Sequence, residues 1–166
     1  DLYTFYMPIY GHSIGLSATM IGVVLGAFAA ATFVVRTTLP LLARRWGEDR
    51  VMTTSMVLAG LTFVFFPFVH QFFLLLLLSF VLGLGLGVGQ PLSVVMTYNL
   101  APAGRTGEAL GLRFTFVNLT HMAIPLVFGT IGSALGLVTV FLANSALMLG
   151  GGYAHYRGAV AKKRED

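Results

Sequence analysis

Cysteine is absent from this chain of 166 residues. That excludes a disulfide framework, a thiolate nucleophile and any cysteine-based metal site. Charge is scarce too. Asp, Glu, Lys and Arg supply 10% of residues, where an ordinary soluble domain carries roughly 25%. So few charges cannot cover a surface that faces water, whereas lipid as solvent accounts for the deficit. The only histidines, His12, His70, His121 and His155, are too scattered to read as a metal cluster. No metal and no cofactor is expected. A basic start followed by a cleavage site, the mark of a signal peptide, is also missing. The chain opens on Asp1 within an apolar, aromatic stretch, and it reads as a piece of a longer protein.

What is present is apolar length. Apart from Asp1, the charges fall into three clusters, Arg36 to Arg50, Arg105 to Arg113 and Arg157 to Asp166. Between them lie the uncharged runs Leu2–Val35, Val51–Gly104 and Phe114–Tyr156. A helix crosses the hydrocarbon with about 20 residues, so each of the last two runs fits two crossings and a turn. Pro67, His70 and Gln71 divide one; Gly129, Gly132 and Ser133 divide the other. Gly11 to Gly15 precede Ser17, a suitable N-cap.

The pattern predicts an all-α, polytopic transmembrane helix bundle. It has a partial helix at 1–12 and five full ones near 18–38, 50–69, 72–98, 107–129 and 133–155. Helices satisfy their own backbone polar groups in lipid. A membrane β-barrel would alternate apolar and polar residues, and Leu74 to Leu78 does not.

If the helices alternate in direction, every Lys and Arg lies on or near one side. The positive-inside rule makes that side cytoplasmic. The expected address is the plasma (inner) membrane, multi-pass, with the loops 39–50 and 99–106 and the basic tail 156–166 in the cytoplasm. The same asymmetry explains the net charge of +4 without nucleic acid as a partner. Lipid headgroups suffice for Lys162 to Arg164.

This layout, over the whole chain, resembles the last six helices of a major facilitator superfamily transporter. The segment Pro40 to Arg50 is similar to that family's Gly-x-x-x-Asp-Arg-x-Gly-x-x-Arg loop. Arg45, Gly47 and Arg50 match; Pro40 stands for the glycine and Arg44 for the acid. Gly47 suits the tight turn such a loop needs. The arginines serve either as contacts to the other half or as plain positive-inside anchors. Gly107 to Arg113, leading to Pro125 and Gly129, resembles the family's fifth helix of each half. Ile124 before Pro125 departs from the antiporter form.

The resemblance implies one C-terminal half-domain over 1–166, whose partner is a missing N-terminal half of the same chain. It implies secondary active transport of a small-molecule solute by alternating access, and not an enzyme. A non-transporting scaffold and a membrane enzyme subunit are the alternatives. No nucleophile–base pair supports the enzyme.

Candidate cavity residues follow from helical periodicity. Ser79, Gly83, Gln90, Ser93 and Thr97 share one stripe at 100° per residue. Gln90 either binds solute or hydrogen-bonds a neighbouring helix, since an amide in hydrocarbon needs a partner. Gly83, Gly85, Gly87 and Gly89 lack the spacing of a dinucleotide loop and suit close helix packing instead. On the next helix Arg113, Asn118, Thr120 and His121 share a polar arc. Leu112, Phe116, Leu119, Met122 and Leu126 fill the opposite side. Arg113 reads first as an interface anchor able to snorkel. His121 carries an imidazole, a side chain suited to proton relay, or it simply bonds a neighbour. Asp1 would lie near mid-membrane, and an acid there is a functional candidate. Asp1 and His121 are the candidate coupling groups in this half, with Asp1 preferred.

Overall fold

The computed structural model describes residues 2–165, with all their side chains except those of 131 and 162–165. Asp1 and Asp166 lie outside the described residues, which contain no strand. They form α1 (Leu2–Ser13), α2 (Ala18–Trp46), α3 (Glu48–Phe65), α4 (Phe72–Leu100), α5 (Thr106–Leu135) and α6 (Leu137–Glu165). A single 3-10 turn, Phe66–Phe68, extends α3. Five of these helical segments, all but α1, are long and apolar enough to cross a membrane.

Helix starts fall close to expectation. Ser17 caps α2, its Oγ accepting from the Met20 N–H at 3.2 Å. Except in α3, which stops at Phe65 rather than near 69, helix ends run further than expected. α2 continues through Pro40 to Trp46, so most of the expected loop 39–50 is helix. α6 runs to Glu165 through the basic tail. The break between the last two helices moves from Gly129–Ser133 to Gly136, which takes φ 87° and donates its N–H to the Gly132 carbonyl. Gly129 and Gly132 stay helical, and Gly136 alone takes the positive φ that a helix C-terminus commonly uses. Gly47, at φ 84°, separates α2 from α3 in the same way.

Glycine spacing sets the packing of α4. A Cβ on Gly83 would lie 2.4 Å from the Phe28 carbonyl oxygen, and one on Gly87 would lie 3.0 Å from Thr32 Cα, both on α2. On another side, a Cβ on Gly85 would sit 3.0 Å from the Ser55 carbonyl oxygen of α3. α4 is therefore held against α2 and α3 at backbone distance, as small residues allow in lipid. Gly60 of α3 approaches Leu149 of α6 in the same manner, and Ser145 Oγ donates to the Gly60 carbonyl at 2.7 Å.

The short α1 is the aromatic centre of the bundle. Tyr3, Tyr6, Met7 and Tyr10 are buried among Phe63, Phe66, Leu75, Leu82 and Phe141. Phe66 stacks on Phe141 at 5.3 Å and meets Tyr3 edge-on at 5.5 Å. Each tyrosine hydroxyl finds an acceptor, as a buried phenol must. Tyr3 donates to Ser79 Oγ at 2.6 Å, Tyr6 to the Phe128 carbonyl at 2.8 Å, and Tyr10 to the Val69 carbonyl at 3.0 Å. Leu75, within the continuous leucine run 74–78, is fully buried in this cluster. A second cluster, Val35, Leu39, Val51, Val88 and Leu92, joins the other ends of α2, α3 and α4.

Candidate functional site

α5 is the least buried of the long helices. Leu112, Phe116, Leu119, Met122 and Leu126 are exposed on its apolar side, and Asn118, Thr120 and His121 are exposed on the other. Two polar ties bracket it. Near one end, Phe128 is buried and its carbonyl takes the Tyr6 hydroxyl. Near the other, Arg113 reaches across to α4. Its Nε donates to Ser93 Oγ at 3.0 Å, and its Nη2 donates to Gln90 Oε1 at 3.0 Å and to the Gln90 carbonyl at 3.3 Å. The guanidinium also lies 5.2 Å from the centroid of the Phe114 ring, within range of a cation–π contact.

Between the two ties lies a cleft of about 180 Å³. Thr120, His121 and Ile124 of α5 face Tyr3, Leu86 and Asn144 across it. Leu86 stands one turn from Gln90 on α4, so the cleft and the Arg113 cluster share one α4–α5 seam.

The expected site residues are placed as follows. Gln90 and Ser93 come together, and Arg113 joins them. The Thr97 hydroxyl turns back to the Ser93 carbonyl at 2.8 Å. His121 lines the cleft, and Asn118 is exposed on α5 without entering the Arg113 cluster. Ser79 and Gly83, on the same stripe as Gln90, face Tyr3 and α2 instead. Asp1 lies outside the described residues. At the α2–α3 turn, Arg45 and Arg50 are exposed around Gly47. The neighbouring Glu48 accepts from Asn99 Nδ2 at 3.2 and 3.3 Å, tying this turn to the end of α4.

Arg113 is the residue that sequence reasoning placed elsewhere. Its position seven residues into α5 suits an interface anchor, yet it turns inward to α4. The signal was the pairing of a lone arginine on one helix with Gln90 and Ser93 on the preceding one, since a cation within a span seeks acceptors. A second arginine behaves alike: Arg36 Nε of α2 donates to the Gly87 carbonyl at 3.3 Å.

A bundle of apolar spans with a polar seam between two of them has the form of a multi-pass membrane protein. The chain belongs to the major facilitator superfamily, which it matches over residues 1–165. It is 27% identical over 143 residues to the probable sulfoacetate transporter SauU of Cupriavidus necator, covering 86% of this chain. The chain spans 33% of the length of that relative.

Proposed function

We propose that this chain is the C-terminal six-helix half of a secondary transporter. The half moves a small solute by alternating access against an N-terminal half. The observation that carries the reading is the α4–α5 seam. Arg113, Gln90 and Ser93 converge within membrane-spanning segments, beside a cleft and on a helix whose polar side stands exposed. Polar groups at that depth are costly in lipid and mark solute paths or protein contacts. Solute sites at the interface of two halves, exchanged by rocking, are the general design of such transporters. Gln90, Ser93, Thr97, Asn118 and His121 are the proposed lining of this half. Sulfoacetate, the solute in the relative's name, is a small dianion and the first solute to test.

The test is uptake by the full-length protein in proteoliposomes. Gradient-driven accumulation of radiolabelled sulfoacetate or a related small acid supports the reading. Facilitated entry that never exceeds equilibrium under any imposed ion gradient contradicts the secondary active part. Coupling is assigned to Asp1 ahead of His121. Asp1→Asn is expected to abolish uptake driven by a pH gradient while leaving solute exchange intact; undiminished gradient-driven uptake removes Asp1 from the role.

The proposed orientation places the α2–α3 turn and the end of α6 in the cytoplasm of a cell bounded by the plasma (inner) membrane. Arg45, Gly47 and Arg50 then form the cytoplasmic loop motif. Single cysteines at Glu48 and His70 should react with an impermeant maleimide from opposite sides. Labelling of both from outside contradicts this orientation.

A further inference from the structure

We propose that Arg113, supported by Arg36, binds the acid group of the transported solute, and that the solute is therefore an organic anion. The inference rests on the transporter reading and specifies what its seam holds. Three observations carry it.

The first is an unused donor. A guanidinium has five N–H donors. Those of Arg113 on Nε and Nη2 are engaged with Ser93 and Gln90. Its Nη1 is buried and has no hydrogen-bond partner. A buried donor left unmade is unfavourable, so this face of the fork is poised for an acceptor that the described residues do not supply.

The second is charge. All the hydrogen-bonding partners of Arg113 are neutral: a hydroxyl, an amide and a carbonyl. They orient the fork and leave its full charge in place. The nearest acid along α5, Glu108, is committed to Arg105 through two bonds of 2.7 Å, and Glu48 takes Asn99. Among the described residues neither Arg113 nor Arg36 has a carboxylate within ion-pair distance.

The third is convergence. Arg36 and Arg113 approach the same helix from α2 and from α5, at the carbonyls of Gly87 and Gln90. Three residues on a helix are ~4.5 Å apart along the axis and ~60° apart around it. Two cations thus donate to one stretch of α4, where their positive charges add. Oxyanions suit it because carboxylate, sulfonate and phosphate accept charge-assisted N–H bonds, which are stronger than those to neutral acceptors.

A lipid phosphate offers the same chemistry. Gln90 lies ten residues, ~15 Å, from the end of α4 at Leu100, which is deeper than a headgroup sits, so the solute is the favoured source.

The experiment uses the full-length protein in nanodiscs and follows thermal unfolding and binding isotherms. The probes are malonate, sulfoacetate and inorganic phosphate, with uncharged malonamide as the control. The expected result is that at least one organic anion binds and stabilises the wild type while malonamide does not. Arg113→Gln should weaken that binding on the order of 10-fold or more, and Arg36→Gln should weaken it less. Arg113→Lys keeps the charge but loses the fork, and should recover binding only in part. Each variant's unfolding in the absence of probe shows whether it is folded. Anion binding unchanged in Arg113→Gln, or no anion bound by the folded wild type, overturns the proposal. So does an effect of Arg113→Gln that appears only when anionic phospholipid replaces phosphatidylcholine, which assigns the site to a headgroup. If a neutral solute is instead accumulated by wild type and by Arg113→Gln alike, the transporter reading stands and the anion site falls. Failure to accumulate any solute, with anion binding intact, has the opposite meaning.

Discussion

α4 and α5 are neighbours of nearly equal length, and they are built on opposite terms. α4 is wedged between α2 and α3, with Gly83, Gly85 and Gly87 at backbone distance from both. α5 touches little: Gly111 and Gly129 have open space where a Cβ would stand, and Phe116 and Met122 are exposed at 61% and 70%. In lipid there is no hydrophobic drive to press helices together, so contact depends on shape. Glycines whose Cβ positions meet a neighbour's backbone make α4 a fixed wall. Glycines that meet nothing leave α5 a separable one. The polar seam therefore joins a rigid surface to a compliant one.

The sharpest way to break the contrast is Gly83→Val. The new Cβ would lie 2.4 Å from the Phe28 carbonyl oxygen and 2.8 Å from Ala31 Cβ, and backbone cannot retreat as a flexible side chain can. Full-length protein in detergent should lose roughly 3 kcal/mol or fail to fold, read as a fall in the thermal midpoint. An unchanged midpoint would mean α2 and α4 are not in close contact.

A smaller effect is expected from Tyr3→Phe. It removes the buried 2.6 Å bond to Ser79 Oγ while keeping the ring against Phe66. The loss should be about 1 kcal/mol, and Tyr3→Phe combined with Ser79→Ala should cost little more than either alone. Additive losses would show the two side chains act separately.

The least effect should come from Gly129→Ala on α5. Its Cβ meets nothing within 4 Å, and alanine favours a helix over glycine by up to about 1 kcal/mol. Stability should stay level or rise slightly. A large drop would show that α5 packs against something at Gly129.

Much of the bundle is legible from hydropathy and charge. Runs free of charge mark the spans, and Ser17 marks a helix start by its cap. The stripe that links Gln90, Ser93 and Thr97 is legible as well. Periodicity assigns residues to one face of their own helix but does not say which helix lies opposite. Hence the same stripe divides in space, with Ser79 turned to Tyr3, Gly83 to α2, and Gln90 to Arg113. Helix ends were less legible because glycine and proline lose their breaking power where no water competes for the backbone. Gly129, Gly132 and Pro40 pass inside helices, and only the glycines with positive φ, such as Gly136, end one. In the sequence the three tyrosines of α1 read only as part of an apolar, aromatic stretch. Their role as donors to three other parts of the chain needs the tertiary structure to be seen.

The single residue between α5 and α6 has a mechanical consequence. Gly136 is the whole connection, so α5 amounts to a rod on a pivot. Arg113 stands 23 residues along that rod, ~34 Å from the pivot at 1.5 Å per residue. A swing of about 10° would sweep its Cα through ~6 Å by the same geometry, twice the length of its bonds to Gln90 and Ser93. The same swing moves Phe128, eight residues from the pivot, through only ~2 Å, so the Arg113 end of the seam travels about three times as far as the end tied by Tyr6. Arg113, with its bonds to Ser93 and Gln90, is the polar tie across the seam at the end that would travel furthest.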